Sequence, residues 1–167
     1  MTIASFDHLP VEEKSELLHK CCGARQWVNN MIELLPYEDL VQVLEDAEQV
    51  WYNCDESSWM EAFNNHPKIG DLSSLKNKFS SIKDLAGEEQ SGVNKASEET
   101  LINLAKLNSQ YEKQNGFIFI ICATGLSADQ MLETIKLRLV NQRQIELENA
   151  AEEQNKIIKI RLEKLFI

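Results

Sequence analysis

Phe117-Ile118-Phe119-Ile120-Ile121-Cys122-Ala123 is the stretch on which the fold class turns. Its β-branched and aromatic content suits a strand. It is short, lies between Gly116 and Gly125, and has no second segment of like composition to pair with. An unpaired strand has no ladder to join. We therefore read it as a buried extended segment or a helical turn, not as part of a sheet. At seven residues it is also far below the roughly twenty that a membrane-spanning helix needs.

Outward from it, helical periodicity dominates. Upstream, Leu101, Leu104, Ala105, Leu107, Asn108 and Tyr111 mark a helix over Ser97 to Gln114, with Gly116 as its stop. Downstream, Ser127 suits a cap for a helix from Ala128 to about Val140. A long amphipathic helix then runs from about Asn141 to Leu165. Nearer the N-terminus, Pro10 to His19 reads as a first helix with Pro10 in its first turn. Trp27, Val28, Met31, Ile32 and Leu35 stripe a second, ended by Pro36. Leu40, Val41, Leu44, Ala47, Val50 and Trp51 stripe a third between Tyr37 and Tyr52, and Ser57 or Ser58 could cap a short helix through Phe63. The predicted architecture is all-α, one compact multi-helix domain over residues 1–167, long enough to bury about two-thirds of its unfolded surface.

The charge balance narrows the function classes. The net charge is −10, with ten basic and twenty acidic residues up to Ser127 and seven of each beyond. A nucleic-acid ligand needs a basic stripe to displace phosphate counterions, and none is present. An anionic membrane surface is disfavoured for the same reason. The first residues, MTIASFDHLPVEEK, lack a basic region followed by an apolar one, and Leu165-Phe166-Ile167 is not a peroxisomal address. Cys21, Cys22, Cys54 and Cys122 form no C-x-x-C pair. The expectation is a cytoplasmic protein with reduced thiols.

Three places could carry chemistry. His66 sits where periodicity breaks, in Asn64-Asn65-His66-Pro67-Lys68-Ile69-Gly70-Asp71. Pro67 pushes it out of the helical region. By itself such a loop is more often a structural turn than the seat of an acid–base group. Glu88-Glu89-Gln90 lies in a polar stretch, Ser80 to Lys95, and reads as solvated unless it meets His66. A carboxylate beside an imidazole fixes its tautomer and raises its basicity. Arg161 has Ile157, Ile158, Leu162 and Leu165 around it, so it projects from the apolar stripe of the last helix. It is either a snorkelling side chain at the core edge or an anion anchor. Arg138, among Thr134, Ile135 and Asn141, has a more mixed setting. His8 precedes the first helix and reads as solvent-facing. His19 and Cys22 are spaced like two metal ligands, but no second pair accompanies them, so no metal is expected. There is no G-x-S-x-G and no glycine-rich phosphate loop.

Taken in order, Phe63-Asn64-Asn65-His66-Pro67-Lys68-Ile69-Gly70-Asp71, Glu89-Gln90-Ser91-Gly92 and Gly116 to Gly125 resemble the OHCU decarboxylases. These are the 2-oxo-4-hydroxy-4-carboxy-5-ureidoimidazoline decarboxylases of urate breakdown. Cys21-Cys22-Gly23 with Trp27, and the C-terminal Arg138-Leu139-x-Asn141, Glu146, Ala150, Glu153, Lys156-Ile157 and Arg161-Leu162, fit the same family. The resemblance covers essentially the whole chain. It implies an all-α enzyme that makes (S)-allantoin without metal or organic cofactor and commonly forms a homodimer. It implies His66, Glu89 and Arg161 as catalytic residues. Substrate contacts would come from Pro67, from Ala86, Gly87, Glu88, Glu89 and Gln90, and from backbone groups of Phe119, Ile120, Ile121, Cys122 and Ala123. Two positions depart from the family pattern: Lys68 stands where H-P-R-I-G has arginine, and Ala86 where a serine is frequent.

The chemistry that this resemblance implies suits these residue types. The substrate carries its carboxylate on a hydroxylated ring carbon next to an imine carbon, so it supplies its own electron sink. His66 would move protons, Glu89 would orient it, and Arg161 would hold an anionic or polar part of the substrate. The competing reading is a non-catalytic acidic helical module that recruits a basic partner, which leaves the His66 loop and Arg161 without a role.

Overall fold

The computed structural model describes residues 1–66 and 93–166, with backbone alone for 93–98. The described residues contain eight helices and no strand: α1 (Ile3–Asp7), α2 (Val11–Cys21), α3 (Arg25–Glu33), α4 (Leu40–Tyr52), α5 (Glu56–Asn64), α6 (Val93–Asn115), α7 (Ala128–Arg138) and α8 (Arg143–Leu165). The all-α expectation holds. The one-turn α1 was not legible in the pattern; it exists because Thr2 accepts the Ser5 amide and Phe6 is buried against the ring of Phe166.

Two caps differ from expectation. Pro10 is the N-cap of α2, one place ahead of its first turn. Helix α5 is capped by Asp55, whose carboxylate accepts the Ser58 amide at 2.8 Å, and Ser57 and Ser58 fall inside the first turn. A carboxylate is the better acceptor for that amide and also complements the helix dipole. At α7 the expected Ser127 cap forms, closed reciprocally by the Gln130 side chain. Helix α6 begins at Val93, inside the stretch read as polar connection, and ends at Gly116, whose φ of +79° only glycine adopts without strain.

The chain divides into two units, Met1–His66 with Ala151–Ile167, and Pro67–Ala150. In the first, α3 packs on α2, α4 and α5. Trp27, Met31, Ala47, Trp51, Phe63, Ile158 and Leu162 form its core. Each buried tryptophan must satisfy its indole N–H. Trp27 donates to the Ala47 carbonyl at 3.0 Å and Trp51 to the Ala151 carbonyl at 2.8 Å, the latter fixing α4 to the last helix. Glu48 adds a second tie, accepting from Asn155 at 2.8 Å and Lys159 at 2.9 Å.

In the second unit α6 packs on α7 over Leu104, Tyr111, Met131 and Ile135. The 117–123 segment is neither helix nor strand, so of its two readings the helical turn is set aside. Phe117, Ile118, Phe119 and Ile120 are buried, and the rings of Phe117 and Phe119 meet Tyr111 edge-on at 5.9 and 5.2 Å.

Candidate functional site

His66 follows directly on α5 and its position is fixed from three directions. Its own amide donates to the Phe63 carbonyl at 3.1 Å. Its neighbour Asn65 donates through Nδ2 to the carbonyls of Gly23 and Glu61, both at 3.0 Å. The approach to Gly23 is close: a Cβ there would lie 2.5 Å from Asn65 Nδ2. Glycine is thus required at 23 by proximity, and the Cys22-Gly23-Ala24 turn locks the residue that precedes His66. Finally, the imidazole Nε2 lies 2.5 Å from Oε1 of Gln154, a fully buried residue of α8.

Arg161 lies seven residues beyond Gln154 on the same helix, hence on the same face about 10 Å further along. It is partly buried, and its Nη1 donates to the carbonyls of Lys20 and Cys21 at 3.2 Å each. Those are the unpaired carbonyls at the C-terminal end of α2, where a cation is favourable. Both described hydrogen bonds of Arg161 are made by Nη1. The arginine therefore does more than snorkel.

Burial disfavours the thiolate form of the two cysteines beside it. Burial pushes Cys21 up to about 11 and Cys22 up to about 12, with the Arg161 charge acting weakly in the other direction. Burial likewise raises Cys54 to about 11. All four cysteines are thiols rather than disulfides, as expected. Among the described residues no group of three or more His, Cys, Asp and Glu is placed to hold a metal ion. His8 is exposed, with Nδ1 2.6 Å from the Ala4 carbonyl.

The 117–123 segment, expected to offer backbone groups to substrate, is held by Arg138. Its Nη1 donates to the Ile120 carbonyl at 2.7 Å, and its guanidinium carbon stands 4.7 Å from the Phe119 ring centroid. Nε of the same side chain donates to the fully buried Glu146 at 2.7 Å. Tyr111 (2.5 Å), Asn141 (2.7 Å) and Asn149 (2.8 Å) also donate to that carboxylate. Burial alone would raise Glu146, but the hydrogen bonds from Asn141, Tyr111 and Arg138 outweigh it and hold the carboxyl below its usual range. Arg138, whose setting in the sequence is more mixed than that of Arg161, is thus the more enclosed of the two.

Residues 7–163 match the OHCU decarboxylase family profile. The chain belongs to the OHCU decarboxylase family. Among its relatives is the Arabidopsis thaliana uric acid degradation bifunctional protein TTL, 35% identical over 147 residues, which cover 87% of this chain and 45% of that protein. The uric acid degradation bifunctional protein of Bacillus sp. (strain TB-90) is 28% identical over 158 residues, covering 91% and 30%. The chain thus spans less than half the length of these two relatives. A solved structure of OHCU decarboxylase in the presence of (S)-allantoin is 33% identical, with a TM-score of 0.73, covering 91% of this chain and 97% of that one.

Of the family's expected site, His66 and Arg161 are brought to one face of α8. Pro67, Ala86, Gly87, Glu88, Glu89 and Gln90, together with Lys68, lie outside the described residues. Gln154 and Asn65 were not singled out from the sequence as site residues. Gln154 carried a usable signal, being a polar side chain in register with the Ile158 and Leu162 stripe that drew attention to Arg161. Asn65 carried none, because its role depends on a turn more than forty residues away.

Proposed function

We propose that the chain decarboxylates 2-oxo-4-hydroxy-4-carboxy-5-ureidoimidazoline to (S)-allantoin in urate breakdown. The observation that supports this most directly is the placement of His66, through Gln154, on the same face of α8 as Arg161. The partner of the imidazole and the cationic fork thus stand about 10 Å apart along one helix face. Membership of the family and the likeness to the decarboxylase solved with (S)-allantoin supply the substrate class.

The reaction needs no external electron acceptor. When the C–CO2 bond breaks, its electron pair forms a double bond to the adjacent former imine carbon, and the imine nitrogen takes a proton. The ring hydroxyl then loses its proton to become a carbonyl, and one proton is delivered to the former imine carbon, the stereocentre of the product. In this reading His66 hydrogen-bonds the hydroxyl and moves the protons, and Glu89 is its carboxylate partner. Arg161 anchors an anionic or polar part of the substrate bidentately. Pro67, the stretch Ala86 to Gln90 and backbone groups of Phe119 to Ala123 complete the contacts. A homodimer and independence of any cofactor belong to the same reading and rest on the family resemblance, and a cytoplasmic location rests on the cysteine pattern. Among the described residues no helix is long and apolar enough to cross a membrane.

The test is to give the purified chain freshly generated substrate and follow the circular dichroism of the allantoin formed, with and without EDTA. Accelerated appearance of the S enantiomer, equal in both, is expected. A rate and a racemic product no different from the spontaneous reaction would refute the enzyme reading in favour of an interaction module. Loss of the rate in EDTA, restored by one metal, would overturn cofactor independence.

A further inference from the structure

The peptide unit between Ile120 and Ile121 stands where the burial of its segment ends: Ile120 is buried and Ile121 half-buried. Its carbonyl accepts from Nη1 of Arg138 at 2.7 Å, a side chain only 8% exposed. The bond is trans, since among the described residues the cis peptide is Leu35–Pro36. In a planar trans peptide the N–H points opposite to the C=O. The guanidinium that draws the Ile120 oxygen to itself therefore turns the Ile121 N–H the other way. A cationic donor on the oxygen also polarises the unit and makes that N–H a stronger donor.

The guanidinium is itself braced on its other edges. Nε donates to Glu146 at 2.7 Å and Nη2 to the Tyr111 hydroxyl at 3.1 Å. Its carbon lies 4.7 Å from the Phe119 ring centroid and 5.7 Å from that of Tyr111. Glu146 is fixed in turn by Tyr111, Asn141 and Asn149. Well-packed apolar side chains of similar volume often serve stability as well as a buried ion pair does, so stability alone gives no reason for this one. What the pair defines here is the orientation of a single peptide.

We propose that Arg138 is a positioning residue: braced by Glu146 and Tyr111, it orients the Ile120–Ile121 peptide so that the Ile121 N–H donates to a carbonyl oxygen of the substrate. This rests on the proposed contact between substrate and the backbone of Phe119 to Ala123. Arg138 acts through that peptide and does not itself touch substrate.

Ile120–Ile121 and Ile157–Ile158 are the two Ile-Ile pairs of the chain, so labelling with 13C-carbonyl, 15N isoleucine gives two carbonyl-correlated amide signals. Ile121→Val removes one of them and so assigns it. On saturation with (S)-allantoin, which has ring and ureido carbonyls, the Ile121 amide proton of the wild type is expected to move downfield. Arg138→Met combined with Glu146→Leu buries no lone charge. That paired variant should fold, lose the allantoin shift at Ile121 and lose at least about tenfold in kcat/KM, the scale of one hydrogen bond. A merely structural pair would change the melting temperature and leave the shift in place. Two results overturn the proposal: saturating allantoin that moves other amides of the 15N-labelled wild type but not that of Ile121, or a folded paired variant with wild-type kcat/KM. If the paired variant does not fold, the wild-type shift and Arg138→Lys decide. An ammonium cannot hold the carboxylate and the carbonyl in the fixed plane of the guanidinium, so lysine should lower kcat/KM, and a lysine variant equal to wild type overturns the proposal as well. A wild-type chain that neither turns over substrate nor binds (S)-allantoin is a separate failure, of the decarboxylase reading itself; it shows before any variant is made, and the proposal falls with it.

Discussion

Arg138 Nε and Glu146 Oε2 meet at 2.7 Å with the carboxylate fully buried, and Nη1 of the same guanidinium holds the Ile120 carbonyl at 2.7 Å. One ion pair thus fixes the backbone of the 117–123 segment. Truncating either partner leaves a buried charge uncompensated, at a cost of about 3–5 kcal/mol. Arg138→Met and Glu146→Leu should each lower the midpoint of denaturant unfolding accordingly. The double variant, which buries no lone charge, should lose clearly less than the two single losses added together. Strict additivity would show that the pair does not act as a unit.

The same carboxylate makes stability depend on pH with a definite sign. Glu146 is held below its ordinary value of 4.5. The stabilisation is therefore fully present above that value and is lost as pH falls through the lower folded-state value. Melting temperature followed from about pH 7 to about pH 3 should drop on the acid side, and Glu146→Gln should flatten that drop while lowering the plateau. An acid limb of the same steepness in the glutamine variant would assign it to other carboxylates.

Gly23 and Asn65 couple the turn after α2 to the residue before His66. Gly23→Ala places a methyl against an amide held by two hydrogen bonds and should cost about 1–3 kcal/mol, as overpacking does. It should lower kcat as well, because Asn65 cannot retreat without carrying His66 with it. Adding Asn65→Ala should restore part of the stability and none of the activity. Retention of both stability and kcat in Gly23→Ala would mean the turn yields freely.

The reach of the sequence follows from which forces are local. Helices α2 to α8 were legible because a 3.6-residue apolar stripe is written within each segment. The 117–123 segment was legible as a non-sheet element because it had no pairing partner. The failures are of two kinds. The cap of α5 went to Asp55 rather than to Ser57 or Ser58, a competition among adjacent acceptors that spacing alone does not resolve. Arg138 and Gln154 were undervalued because their partners, Glu146 with Ile120 and His66, are chosen by tertiary packing. A polar residue in an apolar stripe is visible in sequence, but what satisfies it is not.

His66→Ala should reduce kcat at least about a hundredfold, the lower range for loss of a positioned acid–base group, with the fold largely retained. If Glu89 works through the imidazole, its removal should matter little once His66 is gone. Glu89→Gln with His66→Ala should then resemble His66→Ala alone, and Glu88→Gln should be close to wild type. A double loss equal to the product of the single ones would give the two residues independent roles.

Arg161 provides the most discriminating substitutions because its two duties respond differently to lysine. Its Nη1 sits on the last carbonyls of α2, a service any cation performs and one worth about 0.3–1 kcal/mol. Anchoring a planar anionic group requires two parallel N–H donors, which lysine does not have. Arg161→Lys should therefore keep the wild-type melting temperature and lose most of kcat/KM. Arg161→Met should lose the α2 cap as well, melting slightly lower, and be at least as inactive. If the guanidinium served α2 alone, lysine would be neutral in both measurements, and methionine would show the small stability loss with turnover intact. A lysine variant with wild-type kcat/KM would thus remove Arg161 from the substrate site and leave it as the cap of a helix.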